Sequence, residues 1–409
     1  MDFKDLKLIP CLLKALESQQ YTQPTPIQQQ AIPPVLQHKD LLACAQTGTG
    51  KTAAFALPLI QLLYQQKEEG KLANGIKVLI LTPTRELAIQ IDESFKDYGA
   101  YSGLKHLAVY GGVSRYHQVK HLQQGIDILI ATPGRLLDLV MQRYISLQQI
   151  KMFVLDEADR MLDMGFITDV QKIVRKLPVQ RQTLFFSATM PPEIVRLSQS
   201  MLNNPVKIEI TPVSSAAETV EQAVYLVEKS DKRSLLIHLL KNNEIESALI
   251  FTQTKFGADK LCYALRKENI KVQAIHGNKS QAERQRALSE FKNKNIRVLV
   301  ATDIAARGID IESLSHVINF DLPNIPETYV HRIGRTGRAG ASGKAISFCG
   351  MEEKMFLRDI HKLIAQPIPV INNHPYQMAD AGLSLPPKPL MYNRSRSGGG
   401  KRNKTFMQA

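Results

Sequence analysis

The segment Leu41-Leu42-Ala43-Cys44-Ala45-Gln46-Thr47-Gly48-Thr49-Gly50-Lys51-Thr52 decides the fold of this 409-residue chain. Its first five residues are small or apolar and suit a short buried strand. Two glycines then punctuate the run, and a helix starts near Lys51. Strand, glycine turn and helix open a βαβ unit, and the pattern continues outward. Short apolar runs recur at Val78-Leu81, Ile128-Ala131, Phe153-Leu155, Leu184-Phe186, Ala248-Phe251, Arg297-Ala301 and Val317-Phe320, with helical segments such as Glu86-Tyr98 and Gln281-Lys292 between them. Such alternation predicts an α/β chain with mostly parallel sheets flanked by helices. It occurs twice, once on each side of the polar stretch Glu209-Glu218, which contains Pro212 and Ser214-Ser215-Ala216-Ala217. The expected organisation is a first domain over 1–208, a linker over 209–218, a second domain over 219–367 and a basic, largely disordered tail over 368–409. Pro386-Pro387-Lys388-Pro389 and Ser397-Gly398-Gly399-Gly400-Lys401-Arg402 give that tail a composition that cannot build a core.

Bulk properties narrow the function classes. Hydrophobic residues make up 44% and charged residues 22%, as in an ordinary globular protein. No run of about 18 apolar residues occurs, and the charged N-terminus lacks the apolar stretch of a signal peptide, so no membrane partner and a cytoplasmic location are expected. The four cysteines, Cys11, Cys44, Cys262 and Cys349, form no CxxC pair and have no histidine at zinc spacing, which speaks against a zinc site or a disulfide framework. The net charge of +14 suggests a polyanionic partner. Part of it is local: Lys388, Arg394, Arg396, Lys401, Arg402 and Lys404 lie in the tail, with no acid among them.

Polar signatures follow the strands. Thr82-Pro83-Thr84-Arg85, Thr132-Pro133-Gly134-Arg135, Asp156-Glu157, Ser187-Ala188-Thr189, Thr252-Gln253-Thr254 and Thr302-Asp303 each come directly after an apolar run. Open α/β sheets bind ligands outside the carboxyl ends of their strands, so these residues are expected to line one edge of each lobe.

Ala45-Gln46-Thr47-Gly48-Thr49-Gly50-Lys51-Thr52 resembles a Walker A loop, with Ala45 where the general pattern has its first glycine. Its backbone N–H groups can turn toward phosphate oxygens, Lys51 can neutralise the outer phosphates, and Thr52 can hold Mg²⁺. The N-terminus of the following helix adds its dipole. Asp156-Glu157-Ala158-Asp159 reads as a Walker B segment: Asp156 can hold Mg²⁺ directly or through water, and Glu157 can orient or deprotonate an attacking water. Only one such loop exists, so one ATP per chain is expected. In the second lobe, Arg335 and Arg338 of His331-Arg332-Ile333-Gly334-Arg335-Thr336-Gly337-Arg338 lie three apart. If that stretch is helical they share a face and can reach across a cleft to the γ-phosphate; the alternative reading of the motif is a basic surface helix.

In order and position these motifs resemble the DEAD-box RNA helicase family over about residues 1–365, and the short length and basic tail look like its RhlE-type bacterial members. Further matches are Phe3, Tyr21-Thr22-Gln23-Pro24-Thr25-Pro26-Ile27-Gln28, Pro83-Thr84-Arg85-Glu86-Leu87, Gly111-Gly112, Gln281-x-x-Arg284 and Thr302-Asp303-Ile304-Ala305-Ala306-Arg307-Gly308-Ile309-Asp310. Gln20 stands where many members have glycine, a departure that concerns a turn. The resemblance implies two tandem RecA-like domains and an ATP-gated clamp on RNA. It implies that Phe3 belongs to the nucleotide-binding element, that Tyr21 stacks on adenine and that Gln28 reads its edge. RNA would be held through phosphates and 2′-hydroxyls by Pro83, Thr84, Arg85, Gly112, Thr132, Pro133, Gly134 and Arg135 of the first lobe. Thr254, Gly277, Arg284 and Thr302 would hold it from the second. Ser187, Ala188, Thr189, Asp303, Arg307, His331 and Arg332 would couple the γ-phosphate to closure, and Asp310 would contact the ribose.

The expected activity is RNA-stimulated ATP hydrolysis coupled to local, non-processive separation of short duplexes and RNA–protein remodelling, by a monomer. Ribosome-assembly or RNA-decay proteins are the partners such a chain would serve, and the tail is a nonspecific RNA tether or a solubilising end. A DNA helicase shares the same charge balance, and an ATP-gated RNA clamp shares the same residues. A metabolic kinase leaves the second lobe unexplained.

Overall fold

The computed structural model describes residues 2–46, 48–210, 220–241, 245–306, 314–337 and 343–378. Seven parallel strands form the first sheet: β1 (Leu41–Ala45), β2 (Val78–Leu81), β3 (His106–Val109), β4 (Ile128–Ala131), β5 (Met152–Leu155), β6 (Gln182–Ser187) and β7 (Val206–Ile210). Their order is β3-β4-β2-β5-β6-β1-β7. The second sheet holds β8 (Val220–Leu226), β9 (Ala248–Phe251), β10 (Val272–Ile275), β11 (Val298–Ala301), β12 (His316–Asn319), β13 (Gly343–Cys349) and β14 (Val370–Ile371), also parallel throughout, in the order β10-β11-β9-β12-β13-β8-β14. Shifting each strand number by seven turns one order into the other, so the chain carries the same sheet twice. The helices of the first lobe are α1 (Pro10–Ser18), α2 (Pro26–Leu36), α3 (Lys51–Glu68), α4 (Arg85–Tyr98), α5 (Arg115–Leu122), α6 (Pro133–Met141), α7 (Ala158–Asp163), α8 (Ile167–Val174) and α9 (Pro192–Gln199). Those of the second are α10 (Lys232–Lys241), α11 (Lys255–Lys267), α12 (Gln281–Lys292), α13 (Asp303–Ala306), α14 (Pro326–Ile333) and α15 (Lys354–Ile364).

Both faces of each sheet are covered, as parallel sheets require. Ile80, Ile130, Val154 and Phe186 point into one core of the first lobe, while Leu79, Leu81, Leu129 and Phe153 point into the other. The second lobe splits the same way, with Ile250, Val300 and Ile318 on one side and Leu249, Leu299 and Val317 on the other. Near-continuous apolar strands are the sequence signature of this double burial.

Two boundaries differ from expectation. Glu209 and Ile210 still pair with Cys44 and Ala45, so β7 reaches into the stretch read as linker. Val370 and Ile371 pair with Val224 and Tyr225, and His374 packs its ring 5.3 Å from Tyr225, so the second lobe continues past 367. A two-residue strand is too short to leave a periodic pattern. The remaining linker residues, 211–218, and tail residues 379–409 lie outside those described.

Candidate active site and nucleic-acid interface

The phosphate loop forms where β1 ends. Gly48 and Gly50 have φ of 85° and 92°, a region open to glycine but costly for other residues. Gly50 also has no room for a side chain: a Cβ would stand 2.5 Å from Gln28 Nε2 and 2.9 Å from Thr25 Oγ1. Lys51 opens α3 directly behind the turn. It is buried, with 6% of its surface exposed, and its Nζ has no hydrogen-bond partner among the described residues. A buried ammonium is costly unless paired. Together with the N–H groups at the start of α3, it makes a cradle suited to an anion. Thr52 follows at the helix start, Ala45 ends the strand, and Thr49 donates to the carbonyl of Gln46 at 2.8 Å. Thr47 lies outside the described residues.

Beside this loop, the register brings Cys44 level with Ser187 and Leu81 level with Leu155. Asp156 therefore emerges next to the cradle. Burial pushes its carboxyl up to about 6, with Lys51 pulling the other way and Glu157 adding to the rise. Glu157 sits in the left-handed region at φ 53° and accepts from Arg160 Nη1 at 2.7 Å. Both side chains of that ion pair are nearly inaccessible, 2% and 3% exposed. Asp159 Oδ2 accepts from the backbone and hydroxyl of Thr189 at 3.0 and 3.1 Å, and Ser187 Oγ accepts from the Asp159 amide at 3.2 Å. Burial opposes charge on Asp159, but His331, Lys51 and Arg160 outweigh it and hold the carboxyl below its usual range. Ser187-Ala188-Thr189 is thus tied to the acidic segment.

The second lobe meets this site across a small cavity lined by Arg160, Phe251, Asp303, Ala306, Thr328, His331, Arg332 and Arg335. Arg332 grips Asp303 with both ends of its fork, at 2.6 and 2.7 Å. It also donates to Asn319 Oδ1 and the Asp321 carbonyl, and lies 4.9 Å from the Phe251 ring centroid. That arginine holds the lobe's own framework. Arg335 is 4% exposed and turns toward the cavity just beyond α14, which ends at Ile333. The helix stops at its Gly334 C-cap and a turn follows, so Arg335 reaches the cavity from that turn and not from a helical face. Arg338, Arg307 and Asp310 lie outside the described residues.

A larger groove of about 520 Å³ takes walls from both lobes: Pro83, Thr84, Arg85, Thr132, Gly134, Arg135 and others from the first, Gly277 and Arg284 from the second. Gly112 adjoins it. At φ 80°, its missing Cβ leaves the space filled by the Arg85 guanidinium, whose Nη1 would be 1.9 Å away. Arg135 donates to Gln118 Oε1 and the Val113 carbonyl at 2.7 and 3.0 Å. Pro133 is buried at the start of α6. Thr254 caps α11 by accepting from Gly257 N, and Thr302 precedes α13; neither lines this groove. Glu86 spans the lobes, accepting from Gln281 Nε2 at 3.2 Å and pairing with Arg284 Nη2 at 3.0 Å.

On the far side of the phosphate loop, Tyr21 is 51% exposed with its ring 6.2 Å from Tyr98, which leaves a face free for stacking. It follows Gln20, whose φ of 59° makes the turn that ends α1. Gln28 accepts from Thr25 N at 3.0 Å and donates to the Gly50 carbonyl at 3.2 Å. One amide proton and one lone pair remain for a base edge. Phe3 is 4% exposed and belongs to the apolar core with Leu6, Leu12 and Ile27, beneath this element. Sequence reasoning missed the Arg160–Glu157 pair, the Asp159–Thr189 link, the Glu86 bridge, and Met164 and Phe166 in the groove wall. The i,i+3 spacing of Glu157 and Arg160 was the one local signal available.

Residues 25–197 match the family model described as DEAD/DEAH box helicase, and residues 231–340 the one described as Helicase conserved C-terminal domain. The chain is 42% identical to the DEAD-box ATP-dependent RNA helicase RhpA of Helicobacter pylori over 91% of its own length and 75% of that protein's. It is 44% identical to the ATP-dependent RNA helicase DbpA of Bacillus subtilis over 88% of this chain and 74% of that one. The solved structure of S. cerevisiae Dbp5 bound to RNA and ADP BeF3 is similar with a TM-score of 0.82 at 32% identity, covering 90% of this chain and 95% of that chain.

Proposed function

The chain belongs to the DEAD/DEAH-box helicase family, and on that premise we propose an ATP-dependent RNA helicase that separates short duplexes locally and remodels RNA–protein complexes. The observation that carries this reading is a groove walled by both lobes in a chain that also holds, at the end of β1, a phosphate cradle with an unpartnered buried lysine. ATP would lay its outer phosphates on the Gly48 to Lys51 turn and its adenine on Tyr21, with Gln28 at the base edge. Mg²⁺ suits the buried Asp156 carboxylate and the Thr52 hydroxyl; bound there, it would offset negative charge on the phosphate oxygens. Glu157 orients the attacking water, and Arg160 fixes where that carboxylate points. Arg335 would approach the γ-phosphate from the second lobe, and a positioned arginine of this kind is worth roughly 10³–10⁵ in rate.

RNA would lie in the shared groove, with Arg85, Arg135 and Arg284 on its phosphates. Backbone contacts of that kind position a strand without reading sequence. Asp159 joins Thr189 to the acidic segment, so loss of the γ-phosphate is felt at the lobe interface, and the clamp opens. The chain acts as a monomer in the cytoplasm, resembles RhlE-type members, and works beside ribosome-assembly or RNA-decay proteins. Its basic tail tethers RNA nonspecifically.

Steady-state ATPase with no nucleic acid, with single-stranded RNA and with matching DNA tests the reading. Stimulation by RNA alone is expected. Equal stimulation by DNA overturns the RNA assignment, and none from either overturns the RNA-dependent ATPase.

A further inference from the structure

Two helices of the chain begin alike. Ser114-Arg115-Tyr116 opens α5 in the first lobe, and Thr254-Lys255-Phe256 opens α11 in the second. In each, a hydroxyl residue caps the helix, a basic residue comes first and an exposed aromatic comes second. Tyr116 is 68% exposed and Phe256 71%.

Both arrangements break local rules. Cations belong at helix C-termini, because the N-terminal dipole repels them. Arg115 and Lys255 sit at the wrong end, and each is held there by an amide oxygen: Arg115 donates to Gln142 Oε1 at 2.7 Å, Lys255 to Asn278 Oδ1 at 2.9 Å. A large aromatic left in water gives up its burial energy. Departures of this kind are expected where a ligand compensates them.

Each pair is also fastened to the groove described above. Gln142 donates to Asp138, a groove-lining residue. Gln118, two residues past Tyr116, accepts from Arg135, which lines the groove too. Asn278 directly follows Gly277, which lines the groove from the second lobe along with Arg284. Residues 111–126 contain Arg115 and Lys120 but no acid, which suits a phosphate chain leaving the groove.

The geometry points to Tyr116 and Phe256 as stacking platforms for RNA bases just outside the backbone-held groove, one on each lobe. This rests on the RNA-groove reading above. Lys255 Nζ stands 5.3 Å from the centroid of Phe256, and His117 meets Tyr116 edge-on at 5.5 Å. Each ring would therefore offer a base its other, exposed side while Arg115 or Lys255 meets the adjoining phosphate. Base–aromatic stacking tolerates any sequence, since every base has a π face. The platforms therefore add grip on unpaired RNA, which fully stacked duplex cannot use, without adding sequence preference.

The chain has no tryptophan, so Tyr116→Trp or Phe256→Trp introduces a sole indole reporter at a surface position. Each variant, as full-length protein with Mg²⁺ and a non-hydrolysable ATP analogue, is titrated with single-stranded oligouridine and with abasic RNA of equal length. Quenching by oligouridine but not by abasic RNA is expected at each position. Tyr116→Ala and Phe256→Ala should each weaken oligouridine binding about tenfold and leave abasic RNA binding unchanged. An indole that stays silent while oligouridine binds at wild-type affinity removes that residue from the RNA path, and silence at both overturns the proposal. If RNA binding is absent altogether, or survives Arg85→Ala unchanged, the groove reading itself has failed.

Discussion

Glu86 offers a test in which two simple expectations have opposite signs. Its carboxylate lies in the wall of a groove assigned to RNA phosphates. By charge alone, Glu86→Ala removes a repulsion and tightens RNA binding. The structure gives the carboxylate another role, because it pairs with Arg284 at 3.0 Å and accepts from Gln281 at 3.2 Å across the lobes. The Glu86 and Arg284 side chains are only 4% and 11% exposed. Truncating one partner of such a pair costs about 2–5 kcal/mol, much of it from stranding the other charge. Arg284 keeps some access to water and would be partly balanced by a bound RNA phosphate, so the lower part of that range, about 2–3 kcal/mol, applies. Opening the lobes returns Arg284 to solvent, so the cost falls on the closed form alone. Glu86→Ala should then weaken RNA binding about 30- to 150-fold with a non-hydrolysable ATP analogue present, and leave nucleotide-free binding nearly unaltered. Fluorescence anisotropy of labelled RNA in both states reads this directly. A cycle with Arg284→Ala should show coupling of at least about 1 kcal/mol, since Glu86 has less to hold once its partner is gone. Tighter RNA binding by Glu86→Ala, or additive effects in the cycle, would refute the latch.

Other perturbations follow from buried charge and backbone geometry. Arg160→Ala strands the Glu157 carboxylate in a closed site; thermal melting should show a loss of about 3–5 kcal/mol, and kcat should fall with little change in KM for ATP, while Arg160→Lys recovers part of both. Asp156 is an acid whose folded pKa is raised to about 6 by burial, so the metal- and nucleotide-free fold favours its protonated form. The stability this gives is complete below about pH 4 and is lost as pH rises through about 6. Asp156→Asn should therefore raise the melting temperature at pH 8 by the equivalent of up to about 3 kcal/mol, give no gain at pH 4, and abolish ATPase. Gly112→Ala strains a positive φ and drives a methyl into the Arg85 guanidinium; RNA affinity should drop about tenfold or more from the lost phosphate contact, with ATP affinity unchanged.

Much of this architecture was legible because strand ends carry the chemistry. The apolar runs at Leu41-Ala45, Val78-Leu81, Ile128-Ala131 and Ala248-Phe251 coincide with strands, and a run of branched apolar residues bounded by polar ones has few other uses. The resemblance then named groove residues that the fold brings together from positions as distant as Pro83 and Arg284. Long-range pairing escaped both approaches. Glu86 in Pro83-Thr84-Arg85-Glu86-Leu87 looks like an acid favoured at a helix N-terminus, and nothing local reveals a partner on α12. The burial of Phe3 is illegible for a related reason: its sequence position is that of a site element, but its packing depends on what α1 and α2 lay against it. Arg335 depended on whether α14 continued, and a single glycine settled that against the helix.

On the proposed reading, these contacts explain how ATP and RNA would be sensed together although they would touch different residues. Two bridges join the lobes, and each begins at a site residue. At the nucleotide end, Asp159 holds Thr189 and lies in the field of His331, while Arg160, still paired with Glu157, lines a cavity shared with Arg332 and Arg335. At the groove end, Glu86 follows Arg85 in sequence and grips Arg284. The Glu86–Arg284 bridge pairs charges that water can solvate when the lobes part, so it is worth little alone once desolvation is counted. On the proposed reading, ATP would supply negative charge near Lys51 and Arg335, and RNA would supply it near Arg85 and Arg284. Closure is then favourable when both polyanions are present and marginal with one. The coupling is reciprocal: whatever factor RNA gains from ATP, ATP must gain from RNA. Glu86→Ala should therefore reduce the RNA-induced tightening of ATP by the same factor that it reduces the ATP-induced tightening of RNA. Unequal factors would mean that the two bridges do not report one closure.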